Sequence, residues 1–173
     1  MWSFNGCSRC RLSKTRICIV PCRGRYESAE ILFIGEAPGI SEDMLGKCFI
    51  GSSGKLLDQI ISRAKIPDIV CYFTNTVLCR PCNSKSEGNR EPSQEEVFAC
   101  MPNVKEVIDA AEYIQMIVLV GLIAKKYYAS RFKGMPILEI THPAAILRKG
   151  GAQSSLFYDN VRKLERFWHD NNY

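Results

Sequence analysis

Four short runs rich in apolar and β-branched residues punctuate the chain: ILFIG at 31–35, CYFTNTV at 71–77, MIVLVG at 116–121 and PILEI at 136–140. Runs that are apolar on both faces of an extended chain predict strands buried on both sides. The stretches between them change period. GSSGKLLDQIISRAKI, at 51–66, places Leu56, Leu57, Ile60, Ile61 and Ala64 on one helical face. QEEVFACMPNVKEVIDAAE, at 94–112, follows Ser93, an N-cap residue with Glu96 three positions on. Pro102 is predicted to break or bend that helix, because it lacks the amide and its ring meets the preceding turn. Two further helical stretches are LIAKKYYASRF at 122–132 and LFYDNVRKLERFWHDN at 156–171.

Strands that alternate with helices predict an α/β fold: three α/β/α layers around a central, mostly parallel four-stranded sheet. One domain over residues 1–173 is expected, with the N-terminal cysteine-bearing segment packed on it. In such sheets ligands bind beyond the carboxyl ends of the strands. Glu36, Asn75 and His142 each fall at or just past such an end. The segment CRPCNSKSEGNREP, at 79–92, is polar and marked by glycine and proline, and it reads as a surface loop with ligands at its base.

Composition narrows the setting. Hydrophobic residues make up 46% and charged residues 24%, ordinary globular usage. No apolar run approaches the ~20 residues that span a bilayer, so no membrane partner is expected. The start has no basic-then-apolar leader, and a reducing compartment follows: the cytoplasm, at the nucleoid, or a host cytoplasm if the chain is viral. Nine cysteines, an odd number, argue against a disulfide framework there and leave metal ligation or small buried thiols.

Cys7 and Cys10 have the spacing that lets two thiolates face one centre. A zinc ribbon would pair them with Cys79 and Cys82, and Cys18 and Cys22 are also available. An iron–sulfur cluster tolerates scattered ligands such as Cys7, Cys10, Cys79 and Cys100. Spacing alone does not choose between them.

The net charge is +5 and uneven. No acid precedes Glu27, whereas Arg9, Arg11, Lys14, Arg16, Arg23 and Arg25 all do; Arg148, Lys149, Arg162, Lys163 and Arg166 form a late set. Solvated surface and a polyanion partner both fit such clusters. FIGSSGKLL is not a phosphate loop, because Leu56 stands where a hydroxyl is required. In THPAAILRKGG, His142 precedes Pro143, small Ala144 and Ala145, apolar Ile146 and Leu147, and then Arg148. That order suits a loop that wedges into a base stack and grips a phosphate.

GEAPGISED, CFIGSSGKLLD, TNTVLCRP and HPAAILR occur in the order and approximate spacing of the uracil-DNA glycosylase superfamily. The N-terminal CSRCRLSKTR, with the cysteines of LCRP and FACMP, resembles its iron–sulfur branch, family four. The resemblance implies a [4Fe-4S] cluster on Cys7, Cys10, Cys79 and Cys100, with Cys18, Cys22, Cys48, Cys71 and Cys82 as ordinary thiols. It implies a monomer acting on uracil-containing DNA in base excision repair. Uracil would stack on Phe49 in a pocket lined by Ala37, Pro38 and Gly39. Asn75 would read the base edge, His142 would donate to the uracil O2, and Glu36 would stabilise the sugar cation or position water. Ile146, Leu147 and Arg148 would contact DNA, and Glu42 would supply the bulk that excludes a thymine methyl.

Two departures stand out. Cys48 occupies a place usually held by proline, and the loop after Cys79 carries the insert CNSKSEG without a histidine, so turnover rather than covalent capture is expected. The alternatives are a DNA-binding member of the fold that is inactive or acts on another base, and a zinc-dependent structural module.

Overall fold

In a computed structural model, which describes residues 2–172, the apolar runs form the strands of one five-stranded sheet. Met1 and Tyr173, the ends of the expected domain, lie outside the described residues. The strands are β1 (Arg23–Gly24), β2 (Ile31–Gly35), β3 (Cys71–Asn75), β4 (Met116–Val120) and β5 (Ile137–Ile140), in spatial order β1-β3-β2-β4-β5. β2 pairs in parallel with both β3 and β4, and β4 pairs in parallel with β5. The four expected strands are these parallel ones. The fifth, β1, is a two-residue antiparallel edge too short to carry a periodic signal.

The helices are α1 (Ile40–Leu45), α2 (Ser52–Arg63), α3 (Gln94–Asp109), α4 (Leu122–Tyr128), α5 (Pro143–Leu147) and α6 (Ser155–Asn171). Successive strand residues point to opposite faces. Ile31 and Phe33 join a core with α2, α5 and α6, whereas Leu32 and Ile34 join a second core with α3 and α4. All five apolar residues foreseen on that helical face are buried, four on α2 and Ala64 at its C-cap.

Two expectations change. β5 is an edge strand, not one buried on both faces: only Ile140 is buried, and exposed Glu139 pairs with Lys125 at 2.7 Å. Helix α3 runs through Pro102 without a break. Its apolar face, with Val97, Cys100, Val104 and Val107, is buried against the sheet, and that packing outweighs one missing hydrogen bond. Among the described residues no helix is long and apolar enough to cross a membrane.

Residues 3–22 contain little regular structure and are tied down by polar contacts. The Ser3 amide donates to Glu106 Oε1 at 2.7 Å, the Val20 amide to the Leu78 carbonyl at 2.7 Å, and the Thr74 hydroxyl to the Pro21 carbonyl at 2.8 Å. Glu96, 2% exposed, is the main anchor. It completes the capping box with Ser93, and it accepts from Arg11 Nε at 2.8 Å and from Arg90 Nη2 at 2.6 Å. One carboxylate thus joins the N-terminal segment, the loop over 79–92 and α3. Burial pushes its pKa up, but the donors from Arg90, Arg11 and the Ser93 amide outweigh that and hold it down at about 2.

Glu96 is the buried member, whereas Arg11 is largely exposed, so removing the acid costs its charge-assisted hydrogen bonds and its cap rather than stranding a buried charge. Glu96→Ala is therefore expected to lower stability by about 2 kcal/mol at pH 7 in urea melts. The contribution of a depressed carboxylate is complete above its ordinary value of 4.5 and is lost as pH falls towards about 2. The gap between wild type and variant should close across that window.

Candidate active site

The parallel strands end together, and a cavity of about 540 Å³ opens beyond their carboxyl ends. Glu36 follows β2, Asn75 ends β3 and His142 follows β5; all three line this cavity, with Phe49. It is large enough for a nucleobase and part of its sugar, and it combines a few polar groups with an aromatic wall.

Phe49 is held in an unusual backbone state, with φ of 52°. For a bulky residue this conformation persists only where its surroundings dictate it. Arg23 Nη1 donates to its carbonyl at 3.2 Å, and its ring tilts against Phe73 with centroids 5.8 Å apart. Two glycines make the space. A Cβ on Gly54 would stand 1.9 Å from the Phe49 carbonyl oxygen, and one on Gly35 would stand 2.4 Å from Phe49 Cζ and 2.6 Å from Asn75 Oδ1. Gly35 and Asn75 are partners across the β2–β3 pair, so the ring and the amide meet over a position that has no side chain.

His142 caps the N-terminus of α5, and its Nδ1 accepts the Ala144 amide at 3.1 Å. An Nδ1 that accepts carries no proton, so the neutral ring bears its hydrogen on Nε2, the atom left for the cavity. Burial, aided by the positive charge of Arg148, lowers the pKa of His142 to about 4. The preceding residue is pinned by α6: the Thr141 amide donates to Asn160 Oδ1 at 3.1 Å, and Asn160 Nδ2 donates back to the Thr141 carbonyl at 2.9 Å.

Burial raises the pKa of Glu36, with the nearby carboxylate of Glu91 adding to the rise and Arg148 opposing it. Among the described residues its carboxylate has neither a hydrogen bond nor an ion pair, so it is uncommitted. Glu42, one turn into α1, is the opposite case. Its carboxylate accepts the amides of Gly39 at 3.1 Å, Ile50 at 3.0 Å and Gly51 at 2.8 Å, closing the loop before α1 onto the loop before α2. Glu42 lines the cavity as a fixed wall. Ala37, Pro38 and Gly39 line it too, but the Gly39 amide is already bound to Glu42 and is not free for a ligand.

One expected DNA contact is corrected. Ile146 is fully buried, in the core shared with α2, and cannot enter a base stack. Leu147 is 38% exposed, and Arg148 stands on the cavity rim. Much of the basic surface is paired internally: Arg23 with Asp58, Arg11 with Glu96, and Lys163 with Asp159 at 2.8 Å.

Cys7, Cys10, Cys79 and Cys100 line a single narrow cleft, beside Arg16 and Asn103. Three of the four sulfurs accept N–H groups: Cys7 from Asn103 Nδ2 at 3.3 Å, Cys100 from the Leu78 amide at 3.3 Å and Cys79 from Arg16 Nη1 at 3.8 Å. Sulfurs surrounded by donors suit the thiolate state. Burial nevertheless pushes Cys79 up to about 11 and Cys100 up to about 12, so the ionised form calls for a cation beside it. Among the described residues no three His, Cys, Asp or Glu side chains close around one point, as a single ion would require. Cys82 lies off the cleft, with its thiol turned towards the Arg80 carbonyl at 3.9 Å.

The sequence reading overlooked Asn160, Arg80, Asn89 and Glu91. Asn160 occupies the apolar face of α6 with Phe157 and Leu164, and a polar residue in that register was the available signal. Arg80 is buried, donates to Asn89 Oδ1 at 2.6 Å and to the Glu87 carbonyl, and so forms the hub around which the inserted loop is wrapped. Asn89 and Glu91 are thereby brought to the cavity rim, and nothing in their local sequence indicates it.

A family model described as the uracil DNA glycosylase superfamily matches residues 23–170. The chain is 36% identical over 166 residues to a type-4 uracil-DNA glycosylase of Pyrobaculum aerophilum, covering 84% of this chain and 82% of that one. It is 35% identical over 161 residues to its namesake in Archaeoglobus fulgidus, with 82% and 78% covered. For Thermotoga maritima the figures are 29% over 177 residues, with 93% and 88% covered.

The geometry at His142 makes a direct forecast. In 15N-edited spectra its ring should hold one proton, on Nε2, from neutral pH down to about 4. A ring that gains its second proton near the ordinary value of 6.5 would contradict the burial and the hydrogen bond described above.

Proposed function

The chain belongs to the uracil DNA glycosylase superfamily and is a DNA N-glycosylase that excises uracil in repair; from that premise we propose how its residues divide the reaction. The carrying observation is that Glu36, Asn75, Phe49 and His142, from four separate segments, line one cavity of nucleobase size.

The scissile bond is out of reach inside a duplex, so the nucleotide is flipped out at a cost of a few kcal/mol. Leu147 fills the vacated space and Arg148 holds a phosphate, while Ser52 and Ser53, at the start of α2, offer amides and hydroxyls to the strand at the cavity mouth. Phe49 stacks on the base. Asn75 donates to O4 and accepts from N3–H, a pattern that cytosine reverses.

As the C1′–N1 bond breaks, its electron pair moves into the uracil ring and charge gathers on O2. His142 Nε2–H donates to that oxygen. A neutral imidazole suffices, because it acts where charge develops in a site sheltered from water. The sugar becomes cationic, and the ionised Glu36 stabilises it and orients the water that adds to C1′. The water loses a proton, the uracil anion is released and later protonated, and an abasic sugar remains. The enzyme is proposed to act as a monomer, in the cytoplasm.

The finer assignment of the cofactor is a [4Fe-4S] cluster held by Cys7, Cys10, Cys79 and Cys100. A polynuclear cluster takes ligands that stand farther apart than those around one ion, which suits four sulfurs lining a shared cleft. When bound, it would supply a covalent clamp between the N-terminal segment, the loop after β3 and α3. The donors Asn103, Arg16 and the Leu78 amide would stabilise its thiolates. The cleft lies apart from the nucleobase cavity, with no lining residue in common, so the proposed chemistry proceeds without it.

An oligonucleotide bearing one uracil tests the site. Glu36→Ala, Asn75→Ala and His142→Ala should each lower the rate by about one to three powers of ten, the scale for one lost transition-state contact. Rates near wild type in all three would overturn the assignments, and binding without an abasic product would favour an inactive member of the fold. Because Glu36 must be ionised and its pKa is raised, activity should fall as pH drops through a value above the ordinary 4.5. That acid limb should vanish in Glu36→Gln.

Protein prepared without oxygen should carry about four irons and about four acid-labile sulfides per chain. Cys79→Ser should lose them and Cys82→Ser should keep them. A colourless preparation holding zinc would refute the cluster.

A further inference from the structure

Cys48 has no part in the chemistry above, yet its thiol touches the group proposed to read the base. The residue is fully buried and immediately precedes the strained Phe49. Its sulfur accepts from Asn75 Nδ2 at 3.6 Å and donates to the Val20 carbonyl at 3.7 Å. Val20 is itself fully buried, and no other donor among the described residues reaches that carbonyl. The single thiol proton is therefore committed, and the sulfur presents a lone pair to Asn75.

A side-chain amide has two faces that differ only by exchange of oxygen and nitrogen. Uracil offers an acceptor at O4 beside a donor at N3–H. Cytosine offers a donor at N4 beside an acceptor at N3. The amide that fits one fits the other after a half turn about its terminal bond. Base choice at this edge therefore depends on what prevents that half turn.

We infer that Cys48 is a positioning residue that sets base specificity: held between Val20 and Asn75, it keeps the amide in the order that uracil requires. A flipped Asn75 would aim its carbonyl oxygen at the sulfur lone pair. Relieving that contact by rotating the thiol would leave the Val20 carbonyl buried without a donor, which is strongly disfavoured. Burial also pushes the Cys48 pKa well above its ordinary value, so the thiol proton stays in place throughout the working pH range. The inference rests on reading the cavity as a uracil pocket.

The test uses single-stranded oligonucleotides with one uracil or one cytosine at the same place, cleaved by wild type, Cys48→Ala and Cys48→Ser. Alanine removes both contacts, whereas serine can donate to Val20 and accept from Asn75. Cys48→Ala should lower kcat/KM for uracil by about tenfold and raise the cytosine-to-uracil ratio by at least as much, the scale of one ordinary hydrogen bond. Cys48→Ser should recover most of the discrimination. In the free protein, the Asn75 side-chain NH₂ protons should be protected from exchange in wild type and lose that protection in Cys48→Ala. A folded Cys48→Ala with wild-type ratio and wild-type exchange would overturn the inference. Should wild type cleave no uracil, the uracil reading itself falls, and the exchange comparison then decides the role of Cys48 alone.

Discussion

The space left by Gly35 is the constraint on which the rest of the site depends. Side chains at the ends of parallel strands normally crowd one another. Here β2 ends without one, directly opposite Asn75. The Phe49 ring enters that space, and the Asn75 amide lies against it. Phe49 reaches it in a left-handed backbone state, with Arg23 on its carbonyl and Gly54 beneath it. An aromatic ring and a side-chain amide are thus fixed beside each other by elements that are not adjacent in sequence.

Around that centre, irregular segments are held by buried polar groups that satisfy backbone donors and acceptors. Glu42 takes three amides, Asp43 takes those of Ile17 and Cys18, Asn160 brackets Thr141, and Arg80 gathers the inserted loop. Glu42, Asp43 and Asn160 tie loops to helices, and Arg80 closes its own loop on itself. Backbone groups outside helices and strands still need partners when buried, and side chains supply them here. The same logic holds at the cysteine cleft, where amide and guanidinium donors surround the sulfurs before any cation is considered.

The sheet and its helices were legible because their signals are local. Period and burial identify β2 and α2 within a dozen residues, and the Ser93–Glu96 box marks the start of α3. The motif resemblance brought Glu36, Asn75, Phe49 and His142 together, and all four line one cavity. Where expectation and structure part, the reason is tertiary. The Pro102 penalty is local, but the apolar face of α3 is anchored along its whole length. Ile146 and Leu147 are chemically alike and adjacent, and only the rotation of a five-residue helix against α2 decides which is buried. Asn160 acts across 19 residues, and Arg80 binds within its own irregular loop, where no period marks a partner.

The bracket between Asn160 and Thr141 has a consequence for biosynthesis. The two residues lie 19 positions apart, and Asn160 belongs to α6. During translation the strands that carry Glu36 and Asn75 can pair while the histidine loop still lacks its anchor. The histidine loop is therefore fixed only once α6 settles onto the sheet.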